Sequence, residues 1–140
     1  MSFRNIAQIA GSAMTAQSVR LNTIASNLAN ADTAAASEAQ AYHARKPVFA
    51  AVFEKADSAG RVAGARVQVL DVVQSAEPLR RVHDPDNPLA NEEGVVFYPN
   101  VNPVAEMTDM MSASRAFETN VEVLSRVNSM QQSLLRLGEE

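Results

Sequence analysis

Two histidines are the only imidazoles in this 140-residue chain, and their neighbours decide what they can do. His43 precedes Arg45 and Lys46. Cations on that side disfavour both an imidazolium and a bound metal ion. His83 precedes Asp84-Pro85-Asp86, so one nitrogen donor and two carboxylates lie within four residues. A calcium loop counted from Asp84 needs Gly at the sixth position and Glu at the twelfth. Those positions hold Leu89 and Val95. The segment therefore reads as a proline-fixed turn, and a small metal-dependent enzyme built on His83, Asp84 and Asp86 ranks last among the readings. No serine sits in a Gly-x-Ser-x-Gly elbow. Gly60 and Gly64 are spaced as Gly-x-x-x-Gly with no Lys-Ser/Thr after them, in a stretch that reads as strand. A phosphate cradle needs backbone N–H groups clustered at a helix start, so a hairpin turn is the better reading. Glu92-Glu93 and Glu139-Glu140 are neighbours in sequence and converge on nothing. Cysteine is absent, which removes thiol catalysis, disulfide scaffolds and cysteine-based zinc sites. No catalytic residue, metal ligand or cofactor is expected.

A structural role then has to come from the elements themselves. The formal charge of −4 weighs against a nucleic-acid partner. With 46% apolar and 20% charged residues the chain folds, and its length suits one domain. Only 5% of residues are aromatic and there is no Trp, a composition for helix seams and thin sheets. No run approaches the roughly 18 apolar residues of a membrane helix. The start, Met1 to Asn5 leading into Ile6-Ala7-Gln8-Ile9, is too polar for a signal-peptide core.

Proline supplies the map. All six prolines lie between Pro47 and Pro103, and Pro breaks helix interiors. Two helices should flank a β or irregular middle. The first is expected from about Ser2, a candidate N-cap, to about Ala29. Its apolar stripe is Ile6, Ile9, Ala13, Leu21, Ile24 and Leu28, with Gln17 in the gap and Gly11 as a mild defect. The second is expected from after Pro103 to about Leu137, ended by Gly138. Met107, Met110, Ser114, Phe117, Val121, Leu124, Asn128, Gln131 and Leu135 follow a 3-4 spacing, the a/d seam of a coiled coil. A second reading shifts after Leu124 to Val127, Met130, Leu134 and Leu137. Both stay open. Met107, Met110, Met111 and Met130 suit either core packing or an adaptable partner surface.

In the middle, Val48-Phe49 to Phe53, then Val62, Val67, Val69 and Val72-Val73, and later Val95 to Tyr98, read as strands. Asp84 to Pro88 reads as rigid loop and Asn91-Glu92-Glu93-Gly94 as a turn. Ala31 to Lys46 is Ala-rich with no stripe and reads as loop with residual helix tendency. Residues 1–70 carry seven basic and four acidic groups; residues 71–140 carry five and twelve. The first helix has Arg4 and Arg20 and no acid, so the two helices are complementary in sign, though solvated faces are the preferred explanation.

One motif exceeds these needs. Ser26-Asn27-Leu28-Ala29-Asn30-Ala31-Asp32-Thr33 closes the first helix, with more Asn than one helix exit requires. It resembles the signature of the bacterial flagellar rod and hook axial proteins. The opening Ile9 to Gln17 resembles the proximal rod members of that family. So do Asn87-Pro88-Leu89-Ala90, Gly94, Tyr98-Pro99-Asn100-Val101-Asn102, and Glu106-Met107 leading to Met111-Ser112-Ala113-Ser114-Arg115-Ala116-Phe117-Glu118-Thr119-Asn120-Val121-Glu122. The likeness covers nearly the whole chain and departs most over 31–66.

The resemblance implies an α+β chain with long terminal helices pairing as a coiled coil and a small β-rich middle. It divides the chain into an N-terminal axial helix (1–30), a loop and β-rich outer segment (31–103) and a C-terminal axial helix (104–140). It implies a non-catalytic subunit of the flagellar drive shaft, exported unfolded through the flagellar type III apparatus and located in the basal body, in the rod that crosses the periplasm. The implied partners are copies of itself, other proximal and distal rod proteins, and membrane-ring and export-gate components. No cofactor, nucleic acid or small-molecule substrate is implied. The helix seams are expected to carry assembly. The residues are Ile6, Ile9, Ala13, Leu21, Ile24, Asn27, Leu28 and Asn30 in the first helix, and Met107, Met110, Phe117, Val121, Leu124, Leu134 and Leu135 in the second. A closed coiled-coil adaptor that forms no polymer is the alternative.

Overall fold

Helix-permitting ends and a proline-bearing middle translate into the order α1 (Phe3–Ala29), β1 (Arg45–Phe53), β2 (Ala65–Gln74), β3 (Arg80–His83), β4 (Val95–Tyr98) and α2 (Pro103–Leu137). The structure is a computed structural model and describes residues 3–53 and 64–138. The expected N-cap Ser2, the strand residue Val62, the turn residue Gly60 and the pair Glu139-Glu140 lie outside the described residues.

The two helices run in opposite directions. Arg20 of α1 is paired with Asp109 of α2, and the exit of α1 at Ala31 lies beside Asn102 and Pro103 at the start of α2. The start and the stop of α2 have local causes. Asn102 caps α2, its side chain accepting from the N–H groups of Val104 at 3.1 Å and Ala105 at 3.2 Å, with Pro103 in the first turn. Gly138 ends α2, but at φ −89° rather than in the left-handed region, its N–H donating to Leu135 O. At 35 residues α2 is about 52 Å long, against about 40 Å for the 27 residues of α1.

The middle forms two separate two-stranded antiparallel sheets, β1–β2 and β3–β4. In the first, Val48 faces Asp71 and Phe49 faces Val69, so Leu70 is the extra residue of a bulge. This hairpin lies back along α1 and is tied to it at Ser12, whose Oγ accepts from Val67 N–H at 3.0 Å. Helix α1 therefore packs between α2 and the β1–β2 hairpin.

The second sheet holds the small core. Ala35, Ala41, Leu79 and Phe97 form one buried cluster with Val95 against it. Ala35 extends β4 by a backbone bridge to Phe97. The Ala-rich stretch thus supplies core residues and contains no helix, against its expected helix tendency. Strand β3 was not foreseen: Arg80-Arg81-Val82-His83 has no alternation and all four residues are exposed. Its arginines lie over the aromatic rings of the partner strand instead, Arg80 on Tyr98 and Arg81 on Phe97. Gly94 makes the turn into β4 at φ +70°. A Cβ there would meet His83 Cε1 at 3.0 Å and Pro85 Cβ at 3.1 Å.

Candidate assembly interface

The helix seam is the first place to test the sequence pattern. On α2, where Glu106, Asp109, Ser114, Ala116 and Val123 are half-buried, the withdrawn positions also include the line Met110, Ala113, Phe117, Asn120, Leu124 and Val127. These six keep a 3-4 rhythm, but not the phase expected throughout. Met110, Phe117 and Leu124 fall in the seam as expected, and Val127 follows the second reading. The expected Ser114 is half-buried beside the buried Ala113, and the exposed Val121 gives way to the half-buried Asn120. Ala113 is fully buried and Val127 is 2% exposed. The physical reason is side-chain size. Ala10 and Ala16 of α1 are also buried, so small side chains occupy buried positions on both helices. Apolar periodicity gives such residues little weight. Asn128, Gln131 and Leu135 are exposed and take no part in the helix pair.

On α1, Ile24 and Asn27 are buried. Ile6, Ile9, Ala13, Leu21, Leu28 and Asn30 are half-buried. Gln17 fills the gap in the stripe, and its Oε1 is buried with no hydrogen-bond partner. Of the α2 candidates, Met107, Val121, Leu134 and Leu135 are exposed. The expected interface residues thus divide into a set that closes the helix pair and a set that leaves apolar surface outside it.

Asparagines hold the end where both helices meet the β segment. Asn27 is 1% exposed. Its Nδ2 donates to Arg45 O at 2.8 Å, and its Oδ1 accepts from Arg45 N–H and from the Tyr42 hydroxyl, both at 2.9 Å. The Tyr42 hydroxyl also meets Ser26 Oγ at 3.0 Å. Asn27 therefore does more than end a helix: it fixes the chain entering β1. Asn30 answers the expected exit role, its Nδ2 donating to Ser26 O at 2.9 Å. Asn100, outside the expected set, accepts from Ala44 N–H and donates to Glu77 O, both at 2.7 Å. Its signal in the sequence was its place in Tyr98 to Asn102, next to the α2 cap. The Arg20–Asp109 pair joins α1 to α2 beside this cluster.

The residues singled out for chemistry have other occupations. Asp84 N–H donates to Gly94 O and Asp84 Oδ2 accepts from Asn87 Nδ2 at 3.3 Å, which closes the Pro-rich turn. Among the described residues no three His, Cys, Asp or Glu side chains gather as a metal-binding group. None of the described helices is long and apolar enough to cross a membrane.

Two family models match the two ends of the chain. Residues 8–36 match the flagella basal body rod protein model. Residues 92–137 match the C-terminal model of the flagellar basal body rod FlgEFG proteins. The matched segments carry the α1 exit with its asparagines and nearly all of α2. Full-length relatives agree. The flagellar basal-body rod protein FlgC of Escherichia coli O157:H7 is 48% identical over 99% of this chain and 100% of its own length. That of Salmonella typhi is 46% identical over the same shares. That of Bacillus subtilis is 34% identical over 94% of this chain and 95% of its own. A paired-helix frame pinned by asparagines, similar end to end to these proteins, places the chain in the FlgC family of flagellar basal-body rod proteins.

Proposed function

We propose that this chain is a non-catalytic structural subunit of the flagellar proximal rod that polymerises through its terminal helices. The observation that carries the reading is the apolar surface of α2 left outside the helix pair in a chain of this family. Met107, Met111, Leu134 and Leu135 are all more than half exposed. A monomer gains nothing from such surface, whereas an assembling subunit buries it against neighbours.

In this reading the three parts have separate duties. The axial helices 1–30 and 104–140 form the shaft, and 31–103 faces outward. The subunit works in the basal body, within the rod that crosses the periplasm. It arrives unfolded through the flagellar type III export apparatus and loses its conformational entropy after export, as it folds. Its partners are copies of itself, other proximal and distal rod proteins, and the membrane-ring and export-gate components below. A head-to-tail contact that does not close gives a helical tube.

The test is genetic replacement. Cells lacking the chain should be non-motile and yield no complete rods by electron microscopy of basal bodies, and the wild-type chain should restore both. Leu124→Asp should fail to restore them, since it puts an unpaired charge in the half-buried seam. Motile cells with normal rods in the absence of the chain would overturn the assignment.

A further inference from the structure

Resting on the rod reading, the unpartnered part of α2 suggests which surfaces meet. With Arg20 level with Asp109 and the helices antiparallel, the described start of α1 at Phe3 comes level with Arg126. Every residue from Asn128 to Gly138 is exposed. The seam of α2 does not stop there. From Val127 it runs on through Met130, Leu134 and Leu137 in the same 3-4 rhythm, with exposures of 47%, 55% and 71%. This overhang is about 15 Å of helix with an exposed apolar stripe and no α1 residue level with it among the described residues.

The other end of α2 carries a second stripe outside the helix pair. Val104, Met107 and Met111 are 74%, 57% and 59% exposed, at the same three- and four-residue spacing. The two segments also differ in sign. Residues 103–114 contain Glu106 and Asp109 and no base, while residues 128–138 contain Arg136 and no acid. We propose that the overhang of one copy lies parallel on the first turns of α2 of a second copy, with Met130 beside Met107 and Leu134 beside Met111. The two copies are then offset by 23 residues along α2, about 35 Å.

Three features favour this occupant. The stripe continues a seam already in use within the chain. The two stripes step alike over the exposed positions, Met107 to Met111 and Met130 to Leu134 each being four residues, so both pairs meet at this one offset. The pairing joins unlike segments, so it leaves a free stripe at each end and propagates without closing. A parallel, in-register pairing of two overhangs would bring Arg136 against Arg136 and leave Val104, Met107 and Met111 bare.

The chain has no cysteine, so introduced thiols report cleanly. In cells lacking the native chain, Met107→Cys and Met130→Cys variants are expressed together, and rods are isolated after mild oxidation. Paired positions of a parallel coiled coil lie within disulfide reach. A disulfide-linked dimer that needs both variants is expected. Dimers from Met130→Cys alone would show the closed in-register pairing of two overhangs and overturn the proposal. So would assembled rods without any cross-link, while leaving the rod reading intact. If the cysteine pair blocks assembly, a photo-reactive residue at the exposed Asn128 of an otherwise unaltered chain reads the same contact. An adduct on residues 104–111 of a second copy supports the proposal, and an adduct elsewhere, or on another protein, overturns it. Loss of the rod reading itself would appear separately, as motility without the chain.

Discussion

Replacing Asn27 by alanine removes the most heavily used polar side chain in the described fold. Asn27 is 1% exposed and makes three hydrogen bonds, two to the backbone of Arg45 and one from Tyr42. A typical intramolecular hydrogen bond contributes about 1 kcal/mol net, and a buried partner left unpaired costs about 1–3 kcal/mol more. The Tyr42 hydroxyl keeps Ser26 as a neighbour, while the Arg45 N–H and carbonyl lose their bonds to the Asn27 side chain. The loss therefore rests mainly on the two Arg45 bonds and comes to roughly 2–3 kcal/mol. For a chain of this size that is roughly 6–10 °C in Tm. Asn30→Ala is the internal control, because it removes one half-buried bond to Ser26 O and should cost about 0.5–1 kcal/mol. The assay is thermal and urea unfolding of the purified full chain followed by far-ultraviolet circular dichroism. If Asn27→Ala falls within about 0.5 kcal/mol of the wild type, or costs no more than Asn30→Ala, the role given to Asn27 is refuted.

Three further outcomes follow from single positions. Ala113→Leu should destabilise the chain by about 1–3 kcal/mol in the same unfolding assay, because Ala113 is fully buried where the helices meet. Gly94→Ala should cost about 1–3 kcal/mol and be read as a lowered urea midpoint with unchanged m-value, given its φ of +70° and the close approach of His83 and Pro85. Asn102→Ala should cost about 1 kcal/mol by loss of the α2 cap, and a matched Asn102→Ser should recover most of it.

The helices were legible because proline, capping and ending residues act locally. Six prolines confined to the middle, Pro103 in the first turn of α2 and Gly138 at its end mark the boundaries without any tertiary knowledge. The strands with β-branched runs, Val48 to Phe53, Val67 to Val73 and Val95 to Tyr98, were legible for the same reason. Strand β3 was not, because its stability comes from pairing with β4 and from arginines lying over Tyr98 and Phe97, neither of which leaves a period-2 pattern. The phase of the α2 seam was only partly legible. Its outward residues Met107 and Val121 are larger and more apolar than the inward Ala113 and Asn120. A helix with apolar residues on several faces does not announce which face meets its own chain. The buried alanines Ala31, Ala35, Ala41 and Ala44 were silent for a related reason, since Ala is at home on a surface, in a loop or in a core.

The central claim is that the exposed end of α2 exists for assembly rather than for folding, and Leu134→Asp tests it most directly. Leu134 is 55% exposed and lies beyond the reach of α1, so the change should leave unfolding of the purified chain within about 0.5 kcal/mol of the wild type. Expressed as the only copy in the cell, the variant is expected to give no complete rods in isolated basal bodies and no spreading in soft agar. Normal rods and wild-type motility from this variant would contradict the claim.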